Sequence, residues 1–168
     1  NVKHIVFSSS AAVYGNPQSS PISEASAISP ANVYAETKAM MERVIRWYGE
    51  THGLRWTSLR YFNAAGASSD GALGENWDVT TNLIPLVMKA ALNISGPLQV
   101  LGNDYPTKDG TGIRDYVHVE DLADAHAKAL DYLQSGGPNL TVNLGTGVGT
   151  SVLEILSATE KALGHAVP

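Results

Sequence analysis

The sequence predicts an α/β protein with parallel strands, and three observations support this prediction. Short apolar segments alternate along the chain with longer amphipathic ones, which is the pattern of repeated strand–helix units. The first strand candidate, residues 4–8, is apolar and β-branched, as expected for a parallel strand covered on both faces. No internal repeat or low-complexity tract interrupts the alternation.

The individual elements follow from apolar periodicity and from capping residues. Asn32 and Ser151 can accept hydrogen bonds at helix starts, and His52-Gly53 is a typical helix end. We predict helices at about residues 33–51, 82–93, 120–133 and 152–163. Strands are predicted at residues 4–8, 57–62, 99–101, 115–119 and 141–144. The remaining stretches rich in Gly, Pro and Ser are predicted loops, at residues 16–30, 64–74, 104–112 and 145–149.

The composition excludes several classes of function. The 168 residues, 43% of them hydrophobic, suffice for about one domain with its own core. The 11 basic and 16 acidic residues give a net charge of −5 without a basic stripe, so we predict no nucleic-acid partner. With no cysteines, the chain has no disulfide, thiolate metal site or cysteine nucleophile. No apolar run approaches the roughly 18 residues of a membrane span, so no membrane partner is predicted.

Two histidines were considered as metal ligands. His118 and His126 are separated by eight positions, and no third ligand stands at metal-binding spacing beside them. We therefore predict no metal.

Two nearby segments carry groups suited to proton transfer, SSSAAVYG at residues 8–15 and Tyr34-x-x-x-Lys38. Tyr34 and Lys38 are four residues apart on one predicted helix, a spacing that places both side chains on the same face. A cation beside a phenol stabilises the phenolate, so Tyr34 could act as a general base. Ser10 follows a strand, where its hydroxyl could point into a crevice at the carboxyl end of the sheet. The alternatives are an exposed tyrosine with a solvated lysine, and a polar strand end that forms a local turn.

Longer motifs support a resemblance to a known family. The matching segments, in family order, are FSSSAAVYG, SPANVYAETKAMME, LRYFNAAGA, NLIPLV, LGNDYPTKDGTGIRDYVHVEDLADAH and NLGTGVGTSVLE. Over most of its length the chain resembles the extended short-chain dehydrogenase/reductase family, and within it the branch of UDP-sugar 4-epimerases. The resemblance implies part of a Rossmann-like doubly wound parallel sheet and part of a smaller substrate-binding lobe. It also implies a tightly bound NAD, a UDP-sugar substrate, and a cytoplasmic homodimer.

The resemblance also implies a reaction, the interconversion of UDP-glucose and UDP-galactose at sugar carbon 4, in galactose metabolism. Tyr34 would take the proton of the 4-hydroxyl while hydride passes to NAD, and the 4-keto sugar would rotate and receive the hydride on its other face. Lys38 would stabilise the phenolate and bind the nicotinamide ribose, and Ser10 would aid proton transfer beside the cofactor. Phe62 matches an aromatic residue near the nicotinamide, with an ordinary core phenylalanine as an equal alternative.

Other positions match the family's contacts to the UDP-sugar. Asn63 and Asn82 match hydrogen-bonding positions, although by themselves they would be interpreted as turn or cap residues. Leu83 matches a backbone contact nearby. A strand whose main chain runs along the uracil is matched by Leu98, Gln99, Val100 and Leu101.

Arg114 matches the family's diphosphate-binding arginine. A guanidinium is suited to this role because it bonds phosphate oxygens bidentately. Its alternative is a surface ion pair with Asp115 or Glu120.

The resemblance divides the chain into two parts. Residues 1–80 are predicted to hold the C-terminal half of the NAD-binding Rossmann domain, including the Ser/Tyr/Lys site. Residues 81–168 are predicted to hold part of the UDP-sugar-binding lobe, with returning Rossmann elements. We expect the Gly-rich turn for the NAD pyrophosphate to precede Asn1 and the end of the substrate lobe to follow Pro168. A chain without these parts is expected neither to hold NAD nor to epimerise.

Three alternative functions stay open from the sequence. A dehydratase of the same family normally has acidic residues after its catalytic Ser or Thr, whereas Ala11 and Ala12 follow Ser10. An epimerase of N-acetylated UDP-sugars is a second alternative. A non-catalytic fragment that binds nucleotide sugars is the third. The joint presence of four residues argues against it: Ser10, Tyr34, Lys38 and Arg114.

Overall fold

The computed structural model describes residues 2–17 and 19–168. Within them the α-helices are α1 (Val33–His52), α2 (Leu83–Ala91), α3 (Val119–Gln134) and α4 (Val152–Leu163). The strands are β1 (His4–Ser10), β2 (Arg55–Tyr61), β3 (Asn63–Ala65), β4 (Ile113–Arg114), β5 (Tyr116–His118), β6 (Leu140–Leu144) and β7 (Thr150–Ser151). A short 3-10 helix, Ala11–Tyr14, follows β1 directly. None of the described helices combines the length and apolarity needed to cross a membrane.

The chain forms two compact units. The first comprises Asn1–Ala64 and Val117–Gly147, and the second comprises Ala65–Tyr116 and Val148–Pro168. The chain therefore leaves the first unit after β2 and returns to it with α3 and β6. The predicted division between residues 80 and 81 separates a cofactor part from a substrate part. The two compact units are defined by contacts and divide the chain elsewhere. The predicted functional division at residue 80 stays a prediction.

The first unit is built on a parallel sheet in the order β1-β2-β6. In its register Ser9 lies beside Arg60 and Ser10 beside Tyr61. Ser8 contacts His126 of α3, whereas Ser9 contacts Glu42 of α1. Because successive strand residues point to opposite faces, α1 and α3 cover opposite faces of the sheet. This three-layer arrangement confirms the predicted α/β fold with a parallel sheet.

The helix ends confirm the predicted capping residues. The Asn32 side chain accepts a hydrogen bond from the Ala35 amide at 2.8 Å, and α1 ends at Gly53 in the left-handed conformation. At α4, Ser151 and Glu154 form a reciprocal capping box. These signals are local in sequence, which is why the sequence alone predicts them well.

The second unit packs α2 against α4 and pairs β4 antiparallel with β7. The predicted strand at residues 99–101 is wrong, since no strand is formed there. Leu98 donates its N–H to the carbonyl of Pro168 at 2.8 Å, a contact with the last residue instead of a strand ladder. β-Branched residues raise strand propensity, but a strand forms only where a partner supplies the ladder.

Gly15, which ends the 3-10 helix after Ser10, allows a test of this turn. Its φ is +64°, and a Cβ there would collide with the Ser29 carbonyl oxygen. Its ψ of −121° lies outside the left-handed helical region, where residues other than glycine are strained, so we expect Gly15→Ala to lower the free energy of unfolding by about 1–3 kcal/mol for the backbone conformation. The collision adds about 1–3 kcal/mol.

Gly53→Ala is the matched control for this substitution. Gly53 is in the left-handed helical conformation, with φ +68° and ψ 20°, and has nothing within 4 Å of its Cβ position, so only the cost of that conformation, about 1–2 kcal/mol, applies. Denaturant unfolding of both variants measures the difference. A loss at Gly15 no larger than the loss at Gly53 would show that neither the Ser29 carbonyl nor the backbone conformation of Gly15 constrains the turn.

Candidate active site

The carboxyl end of β1 and the first turns of α1 carry the predicted proton-transfer residues. Tyr34 and Lys38 are one turn apart on α1, and the Lys38 Nζ lies 5.6 Å from the centre of the Tyr34 ring. Lys38 Nζ also donates a hydrogen bond to the Ser8 carbonyl at 2.8 Å and lies 5.3 Å from the Phe7 ring centre. Lys38 is therefore held against β1, unlike the solvated lysine of the alternative interpretation.

Tyr34 is accessible. Tyr34 is 53% exposed. Its hydroxyl makes no hydrogen bond to any residue that the structure describes. An exposed phenol beside an anchored ammonium can meet a substrate hydroxyl and exchange a proton with it.

Ser10 lies at the last position of β1 and is 8% exposed. Its Oγ accepts a hydrogen bond from the Ala12 amide at 3.1 Å and so caps the 3-10 helix. The predicted local turn is therefore present. The hydroxyl keeps its proton available for a second partner, because a serine hydroxyl is both a donor and an acceptor.

A buried polar network lies behind these residues, and the sequence did not reveal it. Its members are Ser9, Tyr14, Glu42, Arg60 and Asn143. Glu42 Oε2 accepts from Arg60 Nη2 at 2.5 Å, and Oε1 accepts from Arg60 Nε at 2.9 Å and from the Ser9 hydroxyl at 2.5 Å. Arg60 Nη1 donates to the Tyr14 hydroxyl at 2.8 Å, and that hydroxyl donates to Asn143 Oδ1 at 2.7 Å.

The network changes the titration of its carboxyl group. Burial alone would raise the pKa of Glu42, but hydrogen bonds from Arg60 and Ser9 and the charge of Arg60 outweigh burial. The pKa of Glu42 is therefore held below its ordinary value. The only signal in the sequence is the spacing of Glu42, which follows Tyr34 and Lys38 at successive four-residue intervals.

The end of β2 carries two further predicted residues. Phe62 is half-buried, and its N–H donates to the Leu144 carbonyl at 3.2 Å, so it continues the parallel ladder with β6. Asn63 begins β3 and is exposed. Both stand where ligands of open parallel sheets normally bind, beyond the carboxyl ends of the strands.

The second unit carries the predicted UDP-sugar residues. Asn82 is the N-cap residue of α2 without a side-chain capping bond, and its Nδ2 donates to Glu75 Oε1 at 2.9 Å. Leu83 opens α2 and is partly buried. Residues 98–101 form no regular structure. Within this segment Leu98 is partly buried, and the other three residues are exposed: Gln99, Val100 and Leu101.

Arg114 lies in β4 and is exposed, with its Nη1 donating to the Ile113 carbonyl at 2.8 Å. The loop before it is anchored by Asp109, whose carboxylate accepts from the Thr111 amide at 2.9 Å and from the Ser151 hydroxyl. The hydrogen bonds from Ser151 and Thr111 hold the pKa of Asp109 below its ordinary value. Arg114 thus lies on a short strand that pairs with β7, and the loop before it is tied to Ser151 at the start of α4.

The two histidines have structural contacts. His126 Nδ1 donates to the Leu122 carbonyl at 2.7 Å, which leaves Nε2 to accept from the Ser8 hydroxyl at 2.8 Å. His118 caps α3, with Nδ1 accepting from the Glu120 amide at 3.2 Å. Both rings are therefore used in joining or starting elements of the first unit.

The chain is similar in sequence to a known protein family. The family model described as "NAD dependent epimerase/dehydratase family" matches residues 1–145. The chain belongs to this family. Membership agrees with the parallel sheet β1-β2-β6.

Individual relatives of this epimerase/dehydratase chain carry narrower names than the family does. The UDP-glucose 4-epimerase of Lactobacillus helveticus is 49% identical over 168 residues, which cover 100% of this chain and 51% of that protein. The crystal structure of UDP-glucose 4-epimerase from Brucella ovis in complex with NAD matches with a TM-score of 0.95 and 49% identity. That match covers 99% of this chain and 51% of the Brucella chain.

A third relative was solved with a nucleotide. The UDP-glucose 4-epimerase from Bifidobacterium longum, in complex with NAD+ and UDP, matches with a TM-score of 0.90 and 43% identity. The match covers 99% of this chain and 50% of that one. The chain therefore spans about half the length of the relatives that it matches.

Proposed function

We propose that this chain supplies the proton-transfer residues and part of the substrate site of an NAD-dependent UDP-glucose 4-epimerase. The proposed reaction interconverts UDP-glucose and UDP-galactose at sugar carbon 4. The arrangement of Tyr34 and Lys38 carries the proposal, because it joins an exposed phenol to an ammonium that is hydrogen-bonded to β1 two residues before Ser10. The named activities of the relatives support the same reaction.

Tyr34 is proposed as the group that removes and returns the proton of the sugar's 4-hydroxyl. The Lys38 ammonium beside the Tyr34 ring is proposed to stabilise the charge that develops on the phenol oxygen during this transfer. The Ser10 hydroxyl is proposed to hydrogen-bond the same sugar oxygen and so to orient it. Proton transfer by a positioned side chain contributes about 10²–10⁴-fold to a rate.

The described residues fit part of an NAD site. A lysine ammonium has three donors, and Lys38 uses one for the Ser8 carbonyl, so donors remain for ribose hydroxyls. We propose that Lys38, Tyr34, Ser10 and Phe62 hold the nicotinamide end. When bound, NAD supplies the acceptor and donor of hydride.

The remaining predicted residues are proposed to bind the UDP-sugar. Arg114 would bond the diphosphate, since its guanidinium is exposed and has N–H donors besides the one that Nη1 gives to the Ile113 carbonyl. Polar or backbone contacts are proposed for Asn63, Asn82, Leu83, Leu98, Gln99, Val100 and Leu101. The last four would use main-chain groups, which does not require a regular strand.

A homodimer and a cytoplasmic location are also proposed. One face of α1 exposes large apolar side chains that a second copy could cover. They are Met40, Met41, Val44, Trp47 and Tyr48.

The experiment uses a chimera in which this chain replaces the aligned half of the Lactobacillus helveticus relative. We expect the purified chimera to contain NAD, to show NADH absorbance when UDP-galactose is added, and to form UDP-glucose. NAD content and turnover are measured separately. A chimera that holds NAD and binds UDP-galactose without forming UDP-glucose would contradict the proposed reaction.

The same assay separates the alternatives. A dehydratase would release water and form a 4-keto-6-deoxy sugar, which mass spectrometry detects as a loss of 18 mass units, the mass of water. A binding protein would show UDP-galactose affinity without reduced cofactor. UDP-N-acetylglucosamine as a second substrate tests the N-acetylated alternative.

A further inference from the structure

The Glu42–Arg60 ion pair is bonded to the chain on both sides of Ser10. On one side Ser9, which precedes Ser10, donates its hydroxyl proton to Glu42 Oε1. On the other side Tyr14 follows Ser10 by four residues and accepts from Arg60 Nη1. The ion pair thus touches the end of β1 and the end of the 3-10 helix, and Ser10 lies between these two contacts.

The same ion pair is also part of the helix that carries Tyr34. Glu42 stands on α1 one turn beyond Lys38 and two turns beyond Tyr34. Two consecutive residues of β1 therefore bond α1: the Ser8 carbonyl accepts from Lys38, and the Ser9 hydroxyl donates to Glu42. These contacts set how far α1 lies along β1, and hence where Tyr34 stands relative to Ser10.

We propose that Glu42 and Arg60, acting through Ser9 and Tyr14, are positioning residues that hold Ser10 and Tyr34 in register for proton transfer. This inference rests on the proposed function. Burial of an ion pair is weak evidence for a role in stability, because well-packed apolar residues often stabilise equally well. A bidentate pair fixes direction and distance, which apolar packing does not.

The network is complete enough to be rigid. The side chains of Glu42 and Arg60 are 7% and 6% exposed, and each donor or acceptor named above has its partner. Asn143 continues the network, with its Nδ2 donating to the Ile22 carbonyl at 3.0 Å. A satisfied buried network specifies one arrangement of its elements.

The test removes the links without unpairing the charges. Ser9→Ala and Tyr14→Phe each delete one hydroxyl that joins the segment around Ser10 to the ion pair. Ser58→Ala is the matched control, because Ser58 is a 1% exposed serine on the same face of β2 as Arg60. Among the described residues, its hydroxyl has no hydrogen-bond partner.

Two readouts are made on the chimera and its variants. The first is kcat per bound NAD together with KM for UDP-galactose. We expect Ser9→Ala and Tyr14→Phe each to lower kcat about tenfold with KM within about twofold, because misplaced groups lose transition-state contacts. The second is amide hydrogen exchange, which we expect to rise in residues 10–15 and not across the whole first unit.

The outcomes separate positioning from stability. Exchange that rises evenly through the first unit, with kcat per bound NAD unchanged, would overturn the proposal and leave a purely structural pair. Unchanged exchange and kcat in both variants would overturn it as well. If the unsubstituted chimera holds NAD without epimerising, the proposed function fails, and exchange confined to residues 10–15 still decides whether the ion pair orders this segment.

Discussion

Tyr34→Phe is expected to lower kcat of the chimera for UDP-galactose by about 10²–10⁴-fold, the usual contribution of a positioned acid–base group. Phenylalanine keeps the ring near the Lys38 ammonium and removes only the hydroxyl that exchanges the proton. KM for UDP-galactose is expected to change little, because the lost interaction belongs to the transition state. Initial rates with measured NAD content test this.

Tyr48→Phe is the matched control for the first prediction. Tyr48 is also on α1 and is 54% exposed, against 53% for Tyr34, and its ring stacks on His52 at 5.1 Å. The substitution removes an equally exposed hydroxyl away from Lys38 and should leave kcat unchanged. Equal losses of activity at the two positions would contradict the role of Tyr34 as the base.

Glu42→Gln is expected to lower the free energy of unfolding by about 3–5 kcal/mol, the usual cost of leaving a buried charge unpaired. The substitution keeps the volume of the side chain but leaves the Arg60 guanidinium without its carboxylate. Arg60 is 5% exposed, so solvent cannot replace the lost partner. The shift of the denaturant midpoint measures the effect.

The Glu42–Arg60 pair also predicts that the stability of the folded protein depends on pH. The pKa of Glu42 in the folded protein is lowered, so its carboxylate contributes stability above the ordinary carboxyl pKa of roughly 4. This contribution is lost as the pH falls through the lowered value. The difference in stability between the unsubstituted chimera and Glu42→Gln is therefore expected to shrink in acid.

Glu36→Gln controls for the loss of any carboxylate on α1. Glu36 pairs with Arg43 at 2.8 Å, with side chains 46% and 55% exposed. Such surface pairs contribute about 0–1 kcal/mol, so little change is expected. A midpoint shift as large as that of Glu42→Gln would show that burial does not determine the strength of the Glu42–Arg60 pair.

The sequence predicted α1 and the reactive side chains on it because their causes are local. Asn32 caps the helix by accepting a hydrogen bond from the amide of Ala35, only three residues later. Gly53 ends the helix because it adopts the left-handed conformation. Tyr34 and Lys38 share a face through helical geometry alone. The same locality explains the correct prediction of Ser151 as the cap of α4.

The strand predicted at residues 99–101 failed for the opposite reason. Strand formation needs a partner, and the partner is decided by the rest of the chain. The antiparallel pairing of β4 with β7 shows the same limit, because Ile113 pairs with Ser151 across 38 residues of sequence. Neither the absence of the first ladder nor the presence of the second can be derived from neighbouring residues.

By itself, the sequence determined the alternation of strands and helices, the caps, and the Tyr34–Lys38 pair. Only the tertiary structure decided which residues surround that pair. Ser9 meets Glu42 across 33 positions, and Tyr14 meets Asn143 across 129. The parallel sheet brings these distant residues to one face of β1 and β2, where a buried charge is costly unless it is paired and hydrogen-bonded.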